Sequence, residues 1–243
     1  MTHDHYIAAL RSNGAAFAAA ARATEMDVQV PSCPEWTVRD LLEHIGGHHR
    51  WVRGNLDRAP EDGMQPFGAY EPAPEGGAAA EWVAEGAAAL ADRLAEVGPD
   101  QRCWTWVPEL ATTGFWARRT ANETAVHRWD VQNAAGAPEP VDADHAVDAI
   151  DEFFGVMQVV GGDRLRGDGE TLHFHATDHD GEWLVRLAPD TLQVSREHAK
   201  GHVAVRGPAS DLLLVVIGRA PVSTVDVLGD AALAQRWQQA AKF

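Results

Sequence analysis

Residues 123–130 read Glu123-Thr124-Ala125-Val126-His127-Arg128-Trp129-Asp130. They lie inside a helix predicted from about Thr113 to Ala135, which stops at Gly136, a residue suited to the position just past a helix end. At about 100° per residue, Glu123 and His127 are ~40° apart in azimuth and ~6 Å apart along the axis. Trp116, Val126 and Ala134 surround the same face, so it should point inward, and Asp130 lies there too. Burying Glu, His and Asp on one stripe is costly unless they are paired or hold a cation. A carboxylate and an imidazole one turn apart can chelate one metal ion, because the helix fixes both in advance. On a wet helix face the same spacing carries no chemistry.

Three further helices surround this one. Thr2 can cap a helix running to about Thr24, with Ile7, Leu10, Phe17 and Ala21 at helical spacing. Val30-Pro31-Ser32-Cys33-Pro34 reads as a break. Thr37 and Asp40 then resemble a capping box, with Trp36 in the staple position. The helix they start extends from Val38 to about Leu56, with Leu41, Leu42, Ile45, Val52 and Leu56 on one face. Asp57 to Gly77 is rich in Pro and Gly and reads as a long loop over a site. Val83, Ala87, Leu90, Leu94 and Val97 mark a helix from Ala78 to Val97, ended by Gly98-Pro99. Four helices of this length make a bundle.

The second helix offers a further ligand. Its sequence Leu41-Leu42-Glu43-His44-Ile45-Gly46-Gly47-His48-His49 holds three histidines. The apolar arc centres near Ile45 and Val52, and His48 and His49 lie closer to it than His44. Periodicity therefore does not select His44, and a solvated edge carrying His48 and His49 is the plain alternative. Gly46 and Gly47 permit close packing or access for a bulky ligand.

Ala137-Pro138-Glu139-Pro140 reads as a linker, dividing residues 1–137 from 138–243. A helix with Val147, Ile150, Phe154 and Met157 on one face follows it. The period then changes to alternation in Leu172-His173-Phe174-His175, Trp183 to Leu187, Leu192 to Ser195 and His202 to Val205. An apolar helix from Ser210 to Gly218, a short strand at Val225-Asp226-Val227 and a last helix capped by Asp230 complete a small α+β domain. The histidines from His145 to His202 are mostly expected to be solvated.

Composition bounds the function. The chain has 243 residues, 45% hydrophobic and 23% charged, enough to bury a sizeable core. Its 20 Lys+Arg against 36 Asp+Glu give a net charge of −16, which repels phosphate backbones and argues against nucleic acid or anionic membranes as partners. No apolar run approaches the ~20 residues of a membrane span. Met1 to His5 lacks the pattern of a signal peptide. With only Cys33 and Cys103, a disulfide framework is excluded and a cytoplasmic location is expected.

Taken together, three stretches resemble the mycothiol-dependent maleylpyruvate isomerases and their relatives in actinobacteria. These are Cys33-Pro34-Glu35-Trp36-Thr37-Val38-Arg39-Asp40-Leu41-Leu42-Glu43-His44, then Glu123 to Asp130, then Val205-Arg206-Gly207-Pro208-Ala209-Ser210-Asp211-Leu212 through Ile217-Gly218-Arg219. The resemblance implies an α+β protein: an N-terminal DinB-like four-helix bundle followed by a small, sterol-carrier-like C-terminal domain. It implies that His44, Glu123 and His127 bind a divalent metal, usually zinc. Three protein ligands leave an open position, which suits catalysis. It also implies Arg219 as a catalytic cation from the C-terminal domain, with His48 lining the cofactor cavity. Asp130 is expected to orient a ligating histidine.

The implied cofactor is mycothiol, held by the metal as a thiolate for isomerisation or S-transfer. The substrate would be a small electrophile or unsaturated acid, bound between the bundle, the Met64 to Tyr70 loop and the C-terminal domain by a monomer or homodimer. One departure stands out. The family's isomerase carries a further arginine near the start of the third helix, whereas no Lys or Arg occurs here from Ala59 to Asp92. A non-catalytic metal- or ligand-binding protein of the same fold is the alternative.

Overall fold

In the computed structural model, residues 1–241 are described, and the chain divides into two units, Met1–Glu139 and a second beginning at Pro140. The first is built from α1 (His3–Arg22), α2 (Val38–Asn55), α3 (Ala78–Val97) and α4 (Thr113–Ala134). α1 packs on α3 and α4, and α2 packs on the same two, so α1 and α2 occupy opposite corners. Thr37 caps α2 as its sequence predicts. The Asp40 N–H donates to Thr37 Oγ1 at 3.3 Å, and the Thr37 N–H donates to Asp40 Oδ2 at 2.8 Å. Thr2 and His5 cap α1 in the same reciprocal way. Gly136, at φ 75°, takes the left-handed conformation that closes α4.

The break expected at residues 30–34 lies between α1 and α2, and it is more ordered than a plain break: it holds the end of β1 (Gln29–Val30), the turn and the start of β2 (Cys33–Thr37) of a two-stranded antiparallel hairpin. Pro31 and Ser32 make its turn, and β2 leads directly into α2.

The bundle core has two layers. One joins Phe17, Leu41, Leu42, Ile45, Trp82, Val83 and Val131. The other joins Leu10, Val52, Leu56, Leu90, Leu94 and an aromatic nest in which Trp51 and Trp106 pack on Trp116 with ring centroids 5.4 and 4.9 Å away. This nest explains much of the high tryptophan content, since stacked and edge-on indoles bury large apolar areas. Gly46 and Gly47 serve packing. A Cβ on Gly46 would lie 2.1 Å from the Trp82 ring, and one on Gly47 would lie 2.3 Å from the Tyr70 hydroxyl.

The second unit starts with α5 (Ala143–Val160), then β3 (Glu170–Ala176), β4 (Glu182–Leu187), β5 (Leu192–Ser195) and β6 (Val203–Gly207). α6 (Ala209–Val216), β7 (Asp226–Gly229) and α7 (Ala231–Ala240) follow. The sheet order is β5-β4-β3-β6-β7, with β3 and β6 parallel and the other pairs antiparallel. Leu172 and Phe174 face the helices. Phe174 lies 5.7 Å from Phe154 of α5 and 5.4 Å from Trp237 of α7, centroid to centroid. By the period-2 rule, His173 and His175 point to the opposite face. The expectation of solvated histidines fails for His145 and His173, which are both buried.

Candidate metal centre

His44 comes from α2, and Glu123 and His127 come from α4, one turn apart. Glu123 Oε1 lies 3.2 Å from His44 Nε2 and 3.2 Å from His127 Nε2. One donor atom from each of the three residues lies within 4.8 Å of the others. The indole of Trp36 closes one side, with its centroid 4.8 Å from the His44 ring and 6.0 Å from the His127 ring. Trp36 is thus a wall of the site as well as a residue preceding the α2 cap.

A chain of contacts orients His127. Its Nδ1–H donates to Asp130 Oδ2 at 2.8 Å, since the carboxylate can only accept. That leaves Nε2 aimed at the cluster, a donor to Glu123 while the ring is protonated and a lone-pair ligand once that proton is displaced. Asp130 is fully buried, and the hairpin turn satisfies it: the Ser32 hydroxyl donates to Oδ1 at 2.5 Å, and Cys33 Sγ stands 3.9 Å from Oδ2. The short hairpin therefore serves the site.

The electrostatics suit a cation. Burial alone would raise the Glu123 carboxyl, but Arg119 and hydrogen bonds from His127 and His44 outweigh it and hold it well below the usual range. Burial alone would lower His127, but Asp130 and Glu123 outweigh it and raise it. Surroundings that stabilise a proton on this cluster stabilise a cation there, and metal binding displaces such protons. Two imidazoles and a carboxylate form the borderline N/O donor set that divalent zinc-class ions take. The residues present fit such an ion.

Arg119 is a site residue that sequence reading missed. It lies one turn before Glu123 on α4 and pairs with Glu123 Oε2. The signal was present, since residues four apart share a helix face.

The α2 histidines separate by depth. His44 is partly exposed, while His48 and His49 are buried rather than lying on a wet edge. His49 Nε2–H donates to Thr124 Oγ1 at 2.9 Å, because the Thr124 hydroxyl proton is committed to Thr120 O. Burial drives the His48 imidazole well below its ordinary value, and His49 down to about 3. His48 Nε2 lies 3.5 Å from Thr120 Oγ1, one turn beyond His44.

The Met64 to Tyr70 loop is fastened to α2, with the Trp51 indole N–H donating to Gln65 O at 2.7 Å. A depression of about 770 Å³ between the loop, α2 and α3 is lined by Arg50, Arg53, Gln65, Tyr70 and Arg93, and by none of the three clustered residues. Arg219 belongs to the second unit, just after α6, where its backbone N–H donates to Leu214 O at 2.7 Å.

Residues 7–132 match the mycothiol maleylpyruvate isomerase N-terminal domain. The chain belongs to the mycothiol maleylpyruvate isomerase family. Residues 144–236 match the C-terminal domain of the same family. The fold is shared with the crystal structure of a mycothiol-dependent maleylpyruvate isomerase, at a TM-score of 0.62, 13% identity and 93% coverage of both chains. A histidine-to-alanine mutant of that isomerase gives the same TM-score and coverage at 12% identity. No curated protein matches the chain. Among the described residues, no helix is long and apolar enough to cross a membrane.

Proposed function

We propose that His44, Glu123 and His127 hold a divalent metal, zinc by donor preference, in an enzyme of mycothiol chemistry. The observation that carries this reading is the convergence of the three side chains, from two helices, around one carboxylate oxygen. A metal held by these three residues would supply the Lewis acidity that lowers the pKa of the mycothiol thiol, giving the thiolate nucleophile needed for cis–trans isomerisation of an unsaturated acid or for S-transfer to a small electrophile.

The protein's own residues do the positioning. Asp130 fixes the His127 tautomer, and Ser32 holds Asp130. Arg119 engages the second oxygen of Glu123, leaving the first to face the histidines. Trp36 packs against the His44 and His127 rings and limits how far they can turn. His48, a buried and neutral imidazole one turn beyond His44, is the proposed cofactor-side residue, and Arg219 of the second unit is the proposed cation for an anionic substrate.

A second reading, a metal- or ligand-binding protein without catalysis, draws on the absence of any Lys or Arg from Ala59 to Asp92. A doubly anionic substrate needs fixed cations in so acidic a protein. Incubation with mycothiol and a panel of electrophiles and cis-unsaturated acids, followed by product mass and isomer analysis, separates the two. Turnover that requires both mycothiol and metal supports the enzyme. Metal binding with no adduct and no isomerised product supports the second reading.

A further inference from the structure

The open face of the second unit's sheet carries another convergent group. His173 and His175 lie two residues apart on β3, both on the face away from the helices. Glu182 of β4 is the cross-strand partner of His175, next to the hairpin turn. His198 reaches in from the segment after β5. The three imidazoles surround one carboxylate: His175 Nδ1 is 2.7 Å from Glu182 Oε1, while His198 Nδ1 and His173 Nε2 are 2.7 and 3.4 Å from Oε2. One donor atom from each of the four residues lies within 4.8 Å of the rest.

From this geometry we infer a second divalent-metal site, formed by His173, His175, Glu182 and His198. Three imidazole nitrogens and a carboxylate oxygen make a four-ligand set of the zinc class. With metal–ligand bonds of about 2.0–2.1 Å, tetrahedral ligand atoms stand ~3.3 Å apart, a spacing that the contacts to Glu182 bracket. Strand pairing fixes three of the ligands before any ion arrives. His173 is buried, His175 and Glu182 are partly covered, and His198 is 82% exposed, so the fourth ligand comes from a side chain free to swing onto the ion.

His173, His175 and His198 border a depression of about 560 Å³ that gives an ion a path in. Lys200 and Arg206 line the same depression, and their charge weakens cation binding relative to a buried structural site. This places the site among exchangeable ones. It is independent of the centre in the helical bundle.

The test uses tag-free, full-length protein stripped with chelator and titrated with Co²⁺ or Zn²⁺ against a weak chromogenic competitor. The wild type is expected to bind two equivalents. His198→Ala, which leaves three donors, should bind the sheet equivalent more weakly, and the pair His175→Ala and His198→Ala should lose it, while the pair His44→Ala and His127→Ala retains the equivalent on the sheet. Unchanged far-UV circular dichroism confirms that each variant is folded. Two equivalents in the His175/His198 pair would overturn the site, as would a single wild-type equivalent that disappears in the His44/His127 pair. A single equivalent that disappears only in the His175/His198 pair would uphold the sheet site and contradict the bundle centre instead.

Discussion

His127 donates its Nδ1–H to Asp130 Oδ2 at 2.8 Å, one turn along the same helix, and Asp130 has no solvent exposure. A buried carboxylate that fixes one imidazole tautomer leaves the other ring nitrogen as a pre-aimed ligand. Asp130→Asn is therefore expected to weaken metal binding by about 10–100-fold while preserving the fold. Competitive titration of the apo protein measures this, and unaltered affinity would remove Asp130 from the account.

Removing a ligand should be more severe. His44→Ala, His127→Ala and Glu123→Gln each leave two protein donors at the bundle centre, and each should abolish its stoichiometric metal. Glu123→Gln is the most informative, since it keeps shape and volume but loses the charge shared by both histidines and Arg119. Metal analysis after exhaustive dialysis reads the result.

Acidification should destabilise the apo bundle through His48 and His49. Their folded values lie below the ordinary 6.5, because burial penalises the charged rings. Below about pH 6.5 the unfolded chain binds protons there and the native bundle does not. Their contribution is therefore full above that pH and falls as the pH drops below it, for His49 down to about 3, by up to about 1.4 kcal/mol per pH unit for each group. Urea midpoints of the apo protein between pH 7 and 5 should decline, and His49→Gln should flatten the slope.

The two thiols should differ in reactivity. Cys103 is wholly buried, and burial pushes its thiol up to about 11. Cys33 is only partly covered. Iodoacetamide at pH 8 should label Cys33 in the native protein and reach Cys103 only after unfolding, as peptide mass spectrometry would show.

Gly46→Ala tests the packing that brings α2 against α3. Its Cβ would fall 2.1 Å from a Trp82 ring held on its other contacts by Arg50, whose guanidinium lies 3.9 Å from the ring centroid. The ring has little room to yield, and the substitution should cost about 1–3 kcal/mol in chemical denaturation.

The legible parts of the structure were those governed by local spacing. Leu41, Leu42, Ile45 and Val52 marked the buried face of α2, Thr37 and Asp40 marked its start, and Glu123 and His127 marked one face of α4. His44 was different: helical phase favoured His48 and His49, and only the family resemblance selected it. Contacts between distant residues left no local trace. Ser32 and Asp130 are 98 positions apart, and nothing in either segment names the other. Trp36 read as a helix-entry residue because its second role depends on where α4 lies. The His173, His175, Glu182 and His198 group was hidden for a related reason, since it exists only once the β3–β4 register is set.

The central claim is that the bundle centre binds a thiolate on a metal held by His44, Glu123 and His127. Its most direct test is the near-ultraviolet spectrum of the Co²⁺-loaded protein as mycothiol is added. A new sulfur-to-cobalt charge-transfer band is expected that saturates with mycothiol, persists in His198→Ala and is absent in His127→Ala. A spectrum unchanged by mycothiol in the Co²⁺-loaded wild type, or a band that survives in His127→Ala, would contradict that claim.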